Sequence, residues 1–258
     1  MFWWGLWAVA AGAVLVWRVA LPLWRSTRHR LRVTSVVREE PGVVSVVMTG
    51  RHMARLGAEA GQFFTWRFLT GPGWTRGHPY SLSAAPDGRS LRITVKELGD
   101  DSRVLRHVRP GTRVLVEGPY GRLSARARSQ RKIALIGAGV GITPLRALAE
   151  GLPYAAGDAV LLYRYRDRPL FAQEISVLAR ERGLGVIWLP GRRRAPDSWL
   201  GHGVGDADDL TALTYWVPDI ADRDVYVCGP EEWADDVART TAAAGVPAER
   251  FHAESFGW

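Results

Sequence analysis

Cysteine is almost absent from this sequence, since its 258 residues include only one, Cys228. A single thiol excludes an intramolecular disulfide, and it excludes an iron–sulfur cluster held by four thiolates of this chain. A chain without disulfides fits a reducing compartment. The sequence shows no pattern of metal ligands, and we expect no metal site.

Acidic residues are fewer than basic ones. Lys and Arg together number 34 against 26 Asp and Glu, which gives a formal net charge of +8. A nucleic-acid-binding surface would gather the arginines on one face, with aromatic residues between them. Here they are spread along the chain, with modest clusters at 25–32, 126–132 and 192–194. We interpret the excess as solvated surface plus a membrane-proximal collar, and we expect no nucleic-acid partner.

Charged residues are missing from the first segment of the chain. Residues 2–17 carry none, and the apolar run continues past Arg18 to Trp24, which supplies the ~20 residues that a membrane span needs. Arginines follow at once, whereas the amino terminus has none, so the positive-inside rule places the later residues in the cytoplasm. We predict a single-pass transmembrane anchor over 2–24 in the inner or plasma membrane, with soluble cytoplasmic domains.

A cleaved signal peptide is the alternative interpretation of this segment. Such a peptide has its basic residues before the apolar stretch, whereas here they follow it. The predicted anchor contains no histidine and therefore cannot supply an imidazole ligand to a haem. His29 lies just beyond it, and we expect this residue at the surface.

Short alternating or β-branched runs predict six strands in the next part of the chain. Turn signals such as Pro41-Gly42 and Pro110-Gly111 separate them. The predicted strands are 31–38, 43–49, 62–69, 80–83, 91–97 and 113–117. Together with one short helix at 102–108, they indicate a small antiparallel β-barrel, which we assign to a domain over 31–125.

Three motifs in this predicted barrel suit a flat cofactor that carries phosphate. In His78-Pro79-Tyr80-Ser81, the tyrosine ring can lie along a flavin ring and the serine hydroxyl can reach a ring nitrogen; a core tyrosine and a capping serine are the alternative. Lys96 precedes Gly99 and Ser102, and Ser102 opens a short helix whose N-terminus favours phosphate. In Gly118-Pro119-Tyr120-Gly121, the glycines let backbone amides face an anion.

The remainder of the chain alternates strands with helices. The predicted strands are 132–136, 159–165, 185–189 and 224–228, and the predicted helices are 142–150, 170–182, 207–216 and 231–244. This alternation indicates a parallel sheet covered on both faces, which is a Rossmann-like α/β domain over 131–258.

A glycine-rich turn follows the first of these strands. Its residues Gly137, Gly139 and Gly141 lead into Thr143 and Pro144, so the pyrophosphate of a dinucleotide can lie against the N-terminus of the following helix. The spacing is not G-x-G-x-x-G, and a glycine-rich turn alone is a weak signal.

Arginines mark the end of the next strand. Arg164 and Arg166 lie where a 2′-phosphate would fall, which favours NADPH over NADH as the substrate. Solvated surface charge is the alternative interpretation of both residues.

In this order, the motifs resemble those of the ferredoxin–NADP reductase superfamily over about residues 31–258. The usual Arg-x-Tyr-Ser of the family is here His78-Pro79-Tyr80-Ser81, which is similar to the ferric reductase and NADPH oxidase branch. Arg76 or Lys96 could then meet the flavin pyrophosphate in place of the missing arginine. The resemblance implies an FAD-binding barrel followed by an NAD(P)-binding α/β domain.

The resemblance also implies roles near the carboxyl terminus. Cys228-Gly229-Pro230 resembles the family element beneath the nicotinamide, where the cysteine helps to place the ring; a buried structural thiol is the alternative. A C-terminal aromatic covers the flavin in this family, and Phe256 matches best, although Trp258 could serve and a simple end strand is the alternative. Glu254 is expected to contact the cofactors. The implied catalytic residues are Ser81, Cys228 and Phe256.

The expected function is that of a membrane-anchored oxidoreductase that passes electrons from NAD(P)H through FAD to a one-electron acceptor. The expected cofactors are FAD, which only the resemblance separates from FMN, and NADPH, with NADH possible. The expected acceptor is a multi-span haem membrane protein or a ferric chelate. The alternative from another class is a cofactor-free assembly subunit that kept the fold, and the presence of Tyr80, Ser81 and Cys228 argues against it.

Overall fold

The computed structural model describes residues 2–17, 26–71, 74–97, 105 and 107–255. The helices of eight or more residues in this part are α1 (Phe2–Leu15), α2 (Ile142–Gly151), α3 (Ala172–Arg182), α4 (Asp209–Trp216) and α5 (Glu231–Ala243). The strands are β1 (Arg32–Glu40), β2 (Val43–Thr49), β3 (Phe63–Phe68), β4 (His78–Ser81), β5 (Ser90–Lys96), β6 (Val114–Tyr120), β7 (Ile133–Ala138), β8 (Ala159–Tyr165), β9 (Gly185–Pro190), β10 (Asp224–Gly229) and β11 (Phe251–Ser255).

The first six strands form an antiparallel barrel. They make two three-stranded sheets, in the orders β1-β2-β5 and β4-β3-β6. Bridges between Arg32 and Arg113 and between Leu82 and Ile93 join the edges of these sheets, so the six strands close on one another. Residues alternate between the apolar interior and the outside along the strands, most regularly in β3. The predicted barrel is confirmed, whereas the predicted helix at 102–108 falls mostly outside the described residues.

The last five strands form a parallel sheet in the order β11-β10-β7-β8-β9. Helices α2 and α3 pack on one face, and α4 and α5 pack on the other. The chain runs from β7 outward to β9 and then returns to β10 on the opposite side of β7. Parallel sheets bind ligands at such a reversal, outside the carboxyl ends of the strands. The predicted α/β domain is confirmed. The expected binding crevice lies just beyond the carboxyl ends of the neighbouring strands β7 and β10.

Helix α1 lies apart from both cores. Its apolar side chains are exposed, as shown by Trp4 at 81% and Trp7 at 70%. Across the described part of the chain, no helix combines the length and apolar character needed to cross a membrane. Residues 18–24 of the predicted anchor lie outside the described residues, so the anchor over 2–24 stays a prediction.

The segment after these residues belongs to the barrel. It forms a helical turn at 26–29, where the Ser26 hydroxyl accepts a hydrogen bond from the Val116 N–H at 3.2 Å. His29 is only 3% exposed, and its Nδ1 lies 3.0 Å from the Arg51 carbonyl oxygen. The expectation of a surface histidine is wrong, because these backbone contacts hold the residue against the barrel wall.

Candidate functional site

Strand β4 carries the first predicted motif. His78 and Tyr80 lie on one face of the strand, and their rings stack nearly parallel with centroids 5.9 Å apart. His78 is 6% exposed, so it forms part of the barrel wall. Pro79 is exposed between them, and Lys96 is exposed at the end of β5. Gly99 and Ser102 of the second motif lie outside the described residues.

Ser81, at the end of β4, has a buried hydroxyl. The side chain is 4% exposed, and its Oγ has no hydrogen-bond partner among the described residues. A buried polar group left in this way costs about 1–3 kcal/mol. The hydroxyl therefore fits a ligand that supplies the missing partner, as a flavin ring nitrogen would.

An aromatic surface lies next to this hydroxyl. Ser81 pairs across the sheet with Phe63 of β3, and Phe63 pairs with Tyr120 of β6. The Phe63 and Tyr120 rings are 5.7 Å apart between centroids, and Tyr120 is 40% exposed. Two adjacent rings beside a hydroxyl suit a flat cofactor. The sequence motifs did not single out Phe63, although the alternation of β3, which buries Phe64, already places it on the other face.

The C-terminal strand β11 meets the end of the third motif. Gly118 lies on β6, and Gly121 follows that strand with a left-handed φ of 99°. A Cβ added at Gly121 would lie 2.6 Å from Glu254 Oε1, so only glycine fits here. The same oxygen accepts a hydrogen bond from the Arg122 N–H at 2.8 Å. Burial raises the pKa of Glu254, and the N–H groups of Arg122 and Leu123 offset part of this rise.

Glu254 also stands beside Cys228, its partner in the parallel register of β10 and β11. Burial raises the pKa of the Cys228 thiol, and the charge of Glu254 raises it further. The thiol is therefore protonated, and its side chain is fully buried. A Cβ added at Gly141 would lie 2.1 Å from the Cys228 carbonyl oxygen. A continuous line of neighbours thus runs from the barrel to the glycine-rich turn: Ser81, Phe63, Tyr120, Gly121, Glu254, Cys228 and Gly141.

The glycine-rich turn lies in the expected binding crevice, at the carboxyl end of β7 and next to that of β10. Gly137 lies on β7, and Gly139 and Gly141 form a single turn of 3-10 helix before α2. Thr143 and Pro144 lie in the first turn of α2, where the Thr143 hydroxyl donates to the Val140 carbonyl at 2.9 Å. The N-terminus of α2 opens onto this crevice, and its N–H groups and dipole favour an anion. The geometry suits a dinucleotide pyrophosphate.

Two further contacts shape this crevice. Gly229 ends β10, and Pro230 follows it immediately before α5. The Tyr163 hydroxyl, on β8, donates to the Gly139 carbonyl at 3.1 Å and accepts from the Leu170 N–H at 3.2 Å. Tyr163 therefore holds the glycine-rich turn, a role that no sequence motif indicated.

The predicted phosphate arginines lie at the carboxyl end of β8. Arg164 pairs with Ala138 in the register of the sheet, and Arg166 follows the strand. Burial lowers the pKa of Arg164, and the charges of Arg193 and Arg166 lower it further. Among the described residues, the buried Arg164 Nε has no hydrogen-bond partner and Arg166 is exposed, so both can pair with an added phosphate. The sequence placed Arg193 in a surface cluster and did not indicate that its charge lies near Arg164. The pairing of β8 with β9, which ends just before Arg193, brings the two arginines near each other.

Phe256 lies outside the described residues, directly after the end of β11 at Ser255. The structure therefore describes the site of two of the three predicted catalytic residues, Ser81 and Cys228. For the end of the chain, the sequence favoured an aromatic that covers the flavin and gave an end strand only as the alternative. The structure shows that residues 251–255 form strand β11.

No protein-family model matches the sequence. The chain is 31% identical over 210 residues to a flavohemoprotein of Xylella fastidiosa, and the aligned part covers 77% of this chain and 51% of the relative. It is 30% identical over 229 residues to a stachydrine N-demethylase reductase subunit of Rhizobium meliloti, with 84% of this chain and 64% of the relative covered. The chain thus spans about half to two thirds of the length of these relatives.

Among solved structures, the flavohem-like FAD/NAD-binding domain of nitric oxide dioxygenase from Vibrio cholerae has a TM-score of 0.70 at 27% identity. The match covers 90% of this chain and 100% of that domain. The chain is thus similar, over most of its length, to FAD- and NAD(P)-binding reductases of the ferredoxin–NADP reductase superfamily. These likenesses agree with the predicted class of NAD(P)H-dependent, FAD-containing reductases. The finer placement of the chain in the ferric reductase and NADPH oxidase branch stays a prediction.

Proposed function

We propose that this reductase takes electrons from NAD(P)H, with NADPH preferred, and delivers them through FAD to a separate one-electron acceptor. The observation that carries the proposal is the position of Glu254. Its carboxylate binds the backbone at the end of the barrel, and its strand partner is Cys228 beside the glycine-rich turn. The residues that fit a flavin and those that fit a dinucleotide therefore adjoin one another.

The described residues fit FAD at the barrel. The unpartnered Ser81 hydroxyl suits a flavin ring nitrogen, and the Phe63 and Tyr120 rings offer a surface on which a flat ring can lie. When bound, FAD supplies the ability to accept an electron pair from NAD(P)H and to release single electrons.

The residues of this chain bind and orient the two cofactors. The N-terminus of α2 holds a pyrophosphate, and Arg164 with Arg166 binds the 2′-phosphate of NADPH. The neutral Cys228 thiol is fully buried beside the glycine-rich turn and adds no charge beneath the nicotinamide. Glu254 and the barrel end exclude water where the two cofactors meet.

For the acceptor, we propose a haem protein in the membrane or a ferric chelate reached from a membrane anchor over 2–24. The apolar run at 2–24, the arginines that follow it and the exposed α1 support the anchor. The likeness to a protein named for both flavin and haem supports haem as the acceptor. The likeness to an N-demethylase reductase subunit favours a second candidate, the terminal component of an oxygenase.

The test begins with the detergent-purified full-length protein. We expect it to contain FAD, to be reduced by NADPH without oxygen, and to reduce isolated membranes that contain the haem partner. Protein that purifies without flavin and takes up no added FAD contradicts the proposal. Reduction of an oxygenase component but not of membrane haem selects the second candidate.

Replacement of Tyr120 by alanine tests the flavin site. Loss of a stacked aromatic ring should weaken FAD binding by about 1 kcal/mol, or roughly fivefold in Kd, as measured by titration of the apoprotein. Tyr215, which is 82% exposed on α4, provides the matched control, and Tyr215→Ala should bind FAD like the wild type. An unchanged Kd for Tyr120→Ala would place the flavin elsewhere.

A further inference from the structure

Glu174 of α3 connects the α/β domain to the barrel through two arginines. Its two carboxylate oxygens accept from Nη1 and Nη2 of Arg92 on β5 at 2.9 and 2.8 Å. Arg146 of α2 lies on the other side of the carboxylate, with its Nη2 2.8 Å from Glu174 Oε2. The Arg92 and Arg146 side chains are only 17% and 8% exposed, so solvent screens these pairs weakly. A bidentate pair of this kind fixes geometry as well as charge.

The same two arginines hold the segment that follows the flavin strand. The Ser83 carbonyl accepts from Arg92 Nη2 at 2.8 Å and from Arg146 Nη1 at 3.2 Å. Glu150, one turn after Arg146 on α2, accepts from the Ala85 N–H at 2.6 Å. Residues 83–85 begin two positions after Ser81, and α2 begins at the glycine-rich turn. These contacts therefore join the flavin-facing hydroxyl to the helix that faces the dinucleotide.

Arg92 also fixes the start of α3. Phe171, which precedes that helix, has a left-handed φ of 58°, and the Arg92 guanidinium carbon lies 4.9 Å from its ring centroid. A bulky residue in this conformation is uncommon and persists only where its surroundings hold it. The loop between β8 and α3, which carries Arg166, is thus attached to the barrel by the same side chain.

We propose that Arg92, Arg146 and Glu174 are positioning residues that set the separation of the flavin and nicotinamide sites. The inference rests on the proposed function, and it adds three residues that act through the segments they hold. A misplacement of about 1 Å between reacting groups can cost on the order of a hundredfold in rate. Loss of the Glu174 charge removes the bidentate partner of Arg92, while Arg146 keeps its ion pair with Glu150 on the same helix. The contact between the two domains should therefore loosen at this point.

Glu174→Gln tests the inference in the full-length, FAD-loaded protein. We expect the limiting rate of flavin reduction at saturating NADPH, measured by anaerobic rapid mixing, to fall roughly ten- to a hundredfold. FAD content and the NADPH concentration at half-saturation should stay nearly unchanged, a split that general loss of structure would not produce. The matched control is Glu181→Gln on the same helix, where the carboxylate is 64% exposed and lies 3.7 Å from Arg180 alone. This control should behave like the wild type.

Arg92→Lys provides a second variant in case Glu174→Gln does not fold, because lysine keeps the charge but loses the bidentate fork. A slow limiting rate with retained FAD supports the inference in either variant. A wild-type limiting rate in a folded, FAD-loaded variant overturns it and leaves the proposed function intact. A wild-type protein that neither NADPH nor NADH reduces overturns the proposed function, and the inference falls with it.

Discussion

At the scale of single residues, Arg164 and Arg166 are the side chains expected to select the nucleotide. A charge-assisted contact with a 2′-phosphate contributes about 1.5–3 kcal/mol, so replacing both by alanine should lower kcat/KM for NADPH roughly ten- to a hundredfold or more. NADH lacks that phosphate, and its kcat/KM should change little. Steady-state assays with ferricyanide and each nucleotide measure the difference. Arg180→Ala, which changes a 71% exposed arginine on α3, is the control. Equal slowing with both nucleotides would indicate a structural role.

Glu254 should make stability depend on pH in the direction opposite to that of a salt-bridged carboxylate. Burial, the largest effect, raises its pKa above the ordinary 4.5. A carboxyl group of this kind stabilises the fold below pH 4.5, and the contribution is lost as the pH rises through its higher folded-state pKa. Glu254→Gln buries no charge, so its Tm should exceed that of the wild type near neutral pH, and the difference should shrink on acidification.

Thermal unfolding across this pH range measures the Glu254 effect. Gln can still accept a hydrogen bond from the Arg122 N–H, so the variant changes charge more than contacts. Glu249→Gln, at an exposed position just before β11, is the matched control and should follow the wild type. If the two variants showed the same pH profile, the buried charge of Glu254 would have no part in stability.

At the scale of elements, the glycine-rich turn and β10 pack backbone against backbone. A Cβ at Gly141 would lie 2.1 Å from the Cys228 carbonyl oxygen, and a main-chain atom cannot move aside as a flexible side chain can. Gly141→Ala should therefore destabilise the protein by about 1–3 kcal/mol and weaken NADPH binding. Chemical denaturation and nucleotide titration measure the two effects. Gly185→Ala on β9, where the nearest atoms lie at an ordinary 3.5 Å, is the control; equal stability of both variants would contradict this packing.

Most elements could be predicted because their signals are local. Residues 159–163 form a continuous apolar run, and the strand predicted over 159–165 has the bounds of β8. Strand β11 was only an alternative, because its residues are half-buried or exposed and carry little apolar signal at the edge of the sheet. The position of His29 was misjudged, since the arginines around it suggest a solvated surface, whereas its partner Arg51 lies 22 positions further along the chain.

The candidate site was predictable where a motif forms it. Ser81, Gly141 and Cys228 belong to short motifs, and each lies in the line between the two cofactor sites. Contacts between distant segments were not predictable. The pairing of Phe63 with Tyr120 depends on which strands of the barrel are neighbours, and that of Arg92 with Glu174 depends on how the two domains pack. One sequence carries no measure of either.

At the scale of the whole molecule, the predicted anchor can be separated from catalysis. Deleting residues 1–25 keeps Ser26 and its hydrogen bond from Val116, so the shortened protein should fold and reduce ferricyanide with NADPH. It should lose reduction of the natural membrane acceptor, because a tether supplies a high local concentration that a free domain lacks. Membranes from a strain without the gene, reconstituted with either protein, allow the comparison. Equal electron flow to the haem pool from both would mean that the anchor is dispensable.

Because the turn at 26–29 is attached to the barrel, the distance between the barrel and the first apolar segment is limited. Eight residues, 18–25, separate the described part of the first apolar segment from Ser26. Even a fully extended chain covers at most ~3.3–3.6 Å per residue, so this stretch spans no more than roughly 30 Å. If α1 is embedded, the barrel is confined to a thin layer along one membrane surface. An acceptor must then expose its redox centre within that layer, and a large domain standing between the bilayer and the barrel would be excluded by size alone.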